Sequence, residues 1–176
     1  GLLNIIGSTA KDLNGTGNLV NFGTVVWSGS NDIQTANSAR IINQPGALFD
    51  IQNNQVLSIY NGGFITNHGT LRKSAGGGIT IITVPLINSG VLDVQSGVVA
   101  YGANSQFHDG TAFTGAGTNL VYAGTVSFNG AIASANLELG GANIGGNGSF
   151  SGVVNWTSGT LGSGALTIAS NGLLNI

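Results

Sequence analysis

Four short segments recur along the chain: Asn21-Phe22-Gly23-Thr24-Val25, Asn43-Gln44-Pro45-Gly46-Ala47-Leu48, Asn67-His68-Gly69-Thr70-Leu71 and Asn88-Ser89-Gly90-Val91-Leu92. Their glycines step by 23, 23 and 21 residues. A chain that returns to one short motif at nearly constant spacing is building one supersecondary unit repeatedly. About 22 residues accommodate three short strands and three turns, which is one coil of a parallel β-helix, or β-solenoid. A β-sandwich gives no reason for such a step. A second recurrence is longer: Gly1-Leu2-Leu3-Asn4-Ile5 returns as Gly172-Leu173-Leu174-Asn175-Ile176, an offset of 171 residues. Residues 1–176 therefore read as a single solenoid segment, one unit of a longer tandem array or end-to-end filament. At ~22 residues a coil the unit has about eight coils, and at ~4.8 Å per coil it rises ~38 Å.

The rest of the pattern agrees with an all-β chain. Runs such as Thr24-Val25-Val26-Trp27, Val56 to Tyr60, Ile79 to Val84, Val98 to Tyr101 and Val153 to Trp156 are short and rich in β-branched or aromatic residues. Clusters such as Asn61-Gly62-Gly63 and Gly76-Gly77-Gly78 separate them, and no apolar spacing holds a helical period over three turns. With 31 glycines and 2 prolines, turns are frequent and few positions break a hydrogen-bonded ladder. Tyr122-Ala123-Gly124-Thr125-Val126 and Thr157-Ser158-Gly159-Thr160-Leu161 keep the motif's ending at spacings of 34 and 35 residues. Intermediate coils are expected to be degenerate there, and the register across 95–165 stays open.

Stacking gives the motif's asparagines a physical role. An asparagine amide can bond the same amide one coil above and below, and asparagine also tolerates left-handed turn geometry. Asn21, Asn43, Asn67 and Asn88 are expected to form an internal or turn-lining ladder, or else to serve simply as turn residues. Asp50, Arg72 and Asp93 also fall at matching places after the motif glycines. They are expected to stack as acid, base, acid in a surface charge ladder that pins coil register and contributes at most ~1 kcal/mol per exposed pair.

From Pro45 to Gly97 the texture resembles a known group. Phe49-Asp50-Ile51-Gln52-Asn53, Gly69-Thr70-Leu71-Arg72-Lys73-Ser74 and Asn88-Ser89-Gly90-Val91-Leu92-Asp93-Val94-Gln95-Ser96-Gly97 are similar to β-strand-repeat, autotransporter-like or filamentous-haemagglutinin-like adhesin repeats of very large bacterial secreted proteins. The resemblance implies a secreted, extracellular or cell-surface β-helical stalk, usually right-handed, and brings no catalytic residues with it.

Composition closes off several functions. Only 6% of residues are charged and the net charge is −2, so no basic phosphate-binding surface can be assembled, and nucleic acid and anionic membranes are poor partners. Cysteine is absent, which removes disulfides and thiolate metal sites. No apolar run approaches bilayer length, and no charged leader precedes one, so any secretion signal or anchor is expected outside this segment. The acids Asp12, Asp32, Asp50, Asp93, Asp109 and Glu138 are scattered apart from the column just described, whereas β-helical lyases and hydrolases gather theirs on one face. His68 and His108 lie on different coils and make a weak metal site. Gly140 to Gly148 has neither the aspartates of a calcium-binding roll nor the Lys and Ser/Thr of a phosphate loop. Thr24, Thr70, Thr125 and Thr160 share a motif position, but Ala47 and Val91 interrupt the regular threonine column that an ice-binding face needs.

Trp27 and Trp156 each close a valine-rich strand. Exposed, they would offer flat platforms to pyranose rings; in a solenoid such side chains more often stack in the core. The expected function is therefore structural, without catalysis or cofactor. Its partners would be further copies or adjacent repeats end to end. Glycan binding through a lateral face, on a host or in biofilm matrix, is the second reading, and a polysaccharide lyase or hydrolase the third.

Overall fold

The computed structural model describes Gly1 to Ile176. The chain winds into a β-solenoid of about eight turns of ~21 residues, with nineteen strands, no helix and parallel stacking. Each turn crosses three faces. The first face begins Leu2–Ile5, Thr24–Trp27, Leu48–Ile51, Thr70–Lys73, Val91–Val94 and Ala112–Thr114. The second begins Lys11–Leu13, Ile33–Thr35, Val56–Ile59, Ile79–Ile82, Val98–Tyr101 and Thr118–Val121. The third begins Asn18–Asn21, Arg40–Asn43, Phe64–Asn67, Leu86–Asn88 and Ser105–Phe107. Strand alternation sends every second side chain inward from all three faces, so a triangular stack of apolar layers fills the interior. A single cluster of 28 buried residues runs its length, including Val25, Phe49, Leu71, Leu92 and Phe113 in one inward file.

The corners decide turn length. Between stacked residues the step is 22, 24 and 21 residues in the first half, and falls to 18 to 20 in the second. From Thr125–Leu161 the strand continues without a break around the corners. The coils there are complete but shorter, because corner loops have been lost, and this corrects the expectation of degenerate coils. Tyr122-Ala123-Gly124-Thr125-Val126 does not repeat the earlier motif: Val126 pairs with Ser105 on the third face, whereas Thr24 and Thr70 pair with Leu48 on the first. Thr125 thus stands apart from the file Thr24, Leu48, Thr70, Val91, Ala112, which Leu48 rather than Ala47 interrupts.

The same register corrects one motif glycine. Thr24, Leu48 and Thr70 stack, so the residue over Gly23 is Ala47, while Gly46 (φ 78°) is the extra residue of a wider corner. At Gly69 and Gly90 the requirement is close backbone approach: a Cβ would lie 2.4 Å from Ala47 O and 2.2 Å from Gly69 O respectively. No other residue fits there without moving the turn beneath.

Candidate functional site: a buried amide spine, an outer charge file and two apolar ends

On the third face, the inward file at the corner is Asn21, Asn43, Asn67, Asn88. Each Nδ2 donates to the Oδ1 of the next turn, at 2.8, 2.8 and 2.6 Å. Each of the first three also donates to a first-face carbonyl one turn on, those of Leu48, Thr70 and Val91. Their exposures are 6, 1, 0 and 0%, so this is an interior spine rather than a row of solvated turn residues. Asn88 passes its last bond to Thr111 Oγ1 at 3.0 Å. The next residue in the file is Phe107, then Phe128, whose rings stack at 4.9 Å, and Phe150 follows at 5.0 Å. The amide ladder is replaced by an aromatic one in mid-rod, which is why the Asn-containing motif stops at residue 88. A second, shorter polar chain runs from Tyr101 Oη to Asn119 Oδ1 (2.9 Å) and from Asn119 Nδ2 to Asn136 Oδ1 (2.8 Å). Burial raises the phenol's pKa, keeping it neutral and able to donate.

The structure places Asp50, Arg72 and Asp93 at one station of the first face on three successive turns. Arg72 Nε donates to Asp93 Oδ2 at 2.8 Å, and Asp93 also accepts from Gln95 Nε2 (3.0 Å) and Thr114 Oγ1 (3.1 Å). Asp50 Oδ2 accepts instead from Gln52 Nε2 (2.7 Å) and Ser74 Oγ (2.9 Å), while its Oδ1 is buried without a partner. The file is therefore less of a surface feature than its sequence suggests. The aspartates are only 7 and 8% exposed, covered by their neighbours, and one ion pair forms rather than two. Asp50 and Asp93 are two strand spacings apart, about 9.6 Å, with the guanidinium-bearing turn between them. None of the five principal hollows is lined by an acid.

Lys73 was not singled out by the sequence reading and is the most unusual residue of the core. It stands in the inward file Ile5, Trp27, Ile51, Lys73, Val94 and is fully buried. Its Nζ donates to Asn53 O, to Asn54 Oδ1 (3.0 Å), to Ala75 O (3.0 Å) and to Thr80 Oγ1 (3.2 Å). Desolvation lowers its pKa. The signal was present in the alternation: with Leu71 inward, Lys73 two residues on had to point inward as well.

The remaining candidates are dispersed. Trp27 is fully buried, with Nε1 donating to Asn31 O at 3.3 Å, so it is a core residue and no sugar can reach its ring. Trp156 is half-buried beside Thr157, Ser158, Gly159 and Ile176 near the last turn. The large exposed rings are Phe22 and Tyr60, at 79 and 76%. His68 Nδ1 lies 2.7 Å from Ser89 Oγ, and His108 occupies the same corner one turn beyond Ser89. No group of three metal-ligating side chains converges.

The two ends are the apolar openings. At one, Leu3, Ile5, Leu13 and Leu19 surround a hollow of about 350 Å³ floored by Ile33. At the other, Leu166, Ile168 and Leu174 are only partly covered, and Leu173 and Ile176 are 54 and 94% exposed. The fold and its polar spine define a β-solenoid repeat protein. Compared with family models, curated proteins and solved structures, the chain matches none.

Proposed function

We propose that this chain is a structural segment of a bacterial extracellular stalk or filament of the adhesin type, secreted to the cell surface and without catalytic activity. The observation that carries the reading is the contrast between walls and ends. Along the walls, strands are paired and the charged file on the first face is spent on bonds between turns. At both ends, strand edges overlie unfilled apolar layers, an arrangement that suits continuation rather than closure. Low charge also favours a rod whose units pack without mutual repulsion. Electron microscopy of the concentrated chain tests this: rods with an axial repeat near ~38 Å are expected, and isolated particles with no elongation would overturn it. A second reading, a glycan-binding lateral surface, is supported by the exposed Phe22 and Tyr60 rings and by half-buried Trp156. It predicts loss of carbohydrate binding in Tyr60→Ala without loss of rod length.

A further inference from the structure

The chain enters and leaves on the first face. Leu2–Ile5 is that face's first strand, pairing with Thr24–Trp27, and Leu173, Leu174 and Asn175 form its last, pairing with Val153, Val154 and Asn155. The first face therefore carries one strand level more than the second or third, and the last strand is a ledge with no neighbour above it. Ledge and first strand have the same sequence, Gly-Leu-Leu-Asn-Ile. They also share orientation: Leu3 pairs with buried Val25, and Leu174 with buried Val154. The 171-residue offset is thus a whole number of turns, and the two pentapeptides are the same station of the coil.

If a second unit were laid over the ledge with its own first strand intact, the second and third faces would be left one level apart, a gap of ~4.8 Å on two sides. Those faces close only if one of the two pentapeptides is absent from the joint. We propose that copies of this unit join head to tail through a single shared strand, with Gly172–Ile176 of one unit occupying the Gly1–Ile5 station of the next. The partner is thus a second copy of the same unit. The inference rests on the structural-rod reading and adds how the rods are jointed.

The station accepts the substitution residue by residue. Gly23 approaches Gly1 so closely that a Cβ on Gly23 would lie 2.2 Å from Gly1 O, and Gly172 presents the same bare backbone. Leu174 would take the place of Leu3 against Val25. Ile176, nearly bare at the free ledge, would take that of Ile5 against Trp27. With the levels matched, Leu13 and Leu19 of the second unit come down over the last turn, where Leu166 and Ile168 await cover, and the apolar hollow becomes a filled layer.

Two two-unit proteins test the joint. In one, residues 1–171 run directly into a complete unit, so the pentapeptide occurs once at the junction; in the other, two complete units are fused, so it occurs twice. Hydrogen exchange and electron microscopy are read on both. The shared-strand protein is expected to be one straight rod, with exchange at the junction pentapeptide slowed at least about a hundredfold relative to Leu2–Ile5 of the single unit. The doubled version should keep one pentapeptide unprotected and show a bend at the junction. Equal protection in the two proteins, or a fast-exchanging junction in a straight shared-strand rod, overturns the joint while leaving the rod reading intact. Two separate compact particles on one chain overturn the rod reading, and the joint with it.

Discussion

Asn67 is the most stringent test of the amide spine. It is fully buried, its Oδ1 accepts from Asn43, and its Nδ2 is the only donor to Asn88 Oδ1, at 2.6 Å. Asn67→Ala removes two amide–amide bonds worth about 1 kcal/mol each net and strands the Asn88 oxygen at a further 1–3 kcal/mol. Asn43 is less affected, since its Nδ2 keeps Thr70 O at 3.0 Å. The expected loss is about 3–5 kcal/mol, a large share of the 5–15 kcal/mol of a typical domain. Asn14 provides the control, because its Oδ1 accepts from Asn37 Nδ2 at 2.7 Å in solvent. Asn14→Ala should cost no more than about 0.5 kcal/mol. Urea denaturation of both variants and of the parent chain gives the comparison. An Asn67→Leu variant, which fills the space but leaves Asn88 stranded, should recover only the packing part of the loss. If Asn67→Ala falls within about 1 kcal/mol of Asn14→Ala, burial does not amplify these bonds and the spine is not a stabilising element.

Three other outcomes are expected. Lys73 has a folded-state pKa below its unfolded value of 10.5, so the unfolded chain binds the extra proton between the two, and stability should rise with pH across that window. Tyr101 has a raised pKa and acts oppositely above pH 10.0, so the profile should turn over there; Lys73→Met removes the rise and Tyr101→Phe the fall, read as denaturation midpoints against pH. Arg72→Ala should cost only about 1 kcal/mol, and high salt should narrow its difference from the parent, because its side chain is 35% exposed and pairs with Asp93 alone. Gly69→Ala should lower the melting temperature by several degrees, as its Cβ would meet Ala47 O at 2.4 Å, whereas Gly77→Ala, with nothing within 4 Å, should leave it nearly unchanged.

The period, the all-β solenoid, the asparagine spine and the Asp50–Arg72–Asp93 station were legible because each is a local pattern that stacking repeats. Equal spacing from a motif glycine is enough to place two residues one above the other when every turn has the same length. That inference weakened where corners changed length. Gly46 looked like the stacked glycine because a wider corner had shifted it from the station that Ala47 occupies, and the second half looked degenerate because its corners had shortened.

By itself, then, the sequence determined the coil and which residues share a station, since alternation and period are properties of neighbours along the chain. Only the tertiary structure decided what each station contains, because the interior is bounded by three faces whose residues lie far apart in sequence. It placed Trp27 beyond the reach of any ligand, gave Lys73 four oxygen acceptors drawn from its own corner and adjoining turns, and ended the amide spine at Thr111 where Phe107 takes over the file. It also set the first and last strands on one face in one orientation, so that a repeated pentapeptide became a candidate joint.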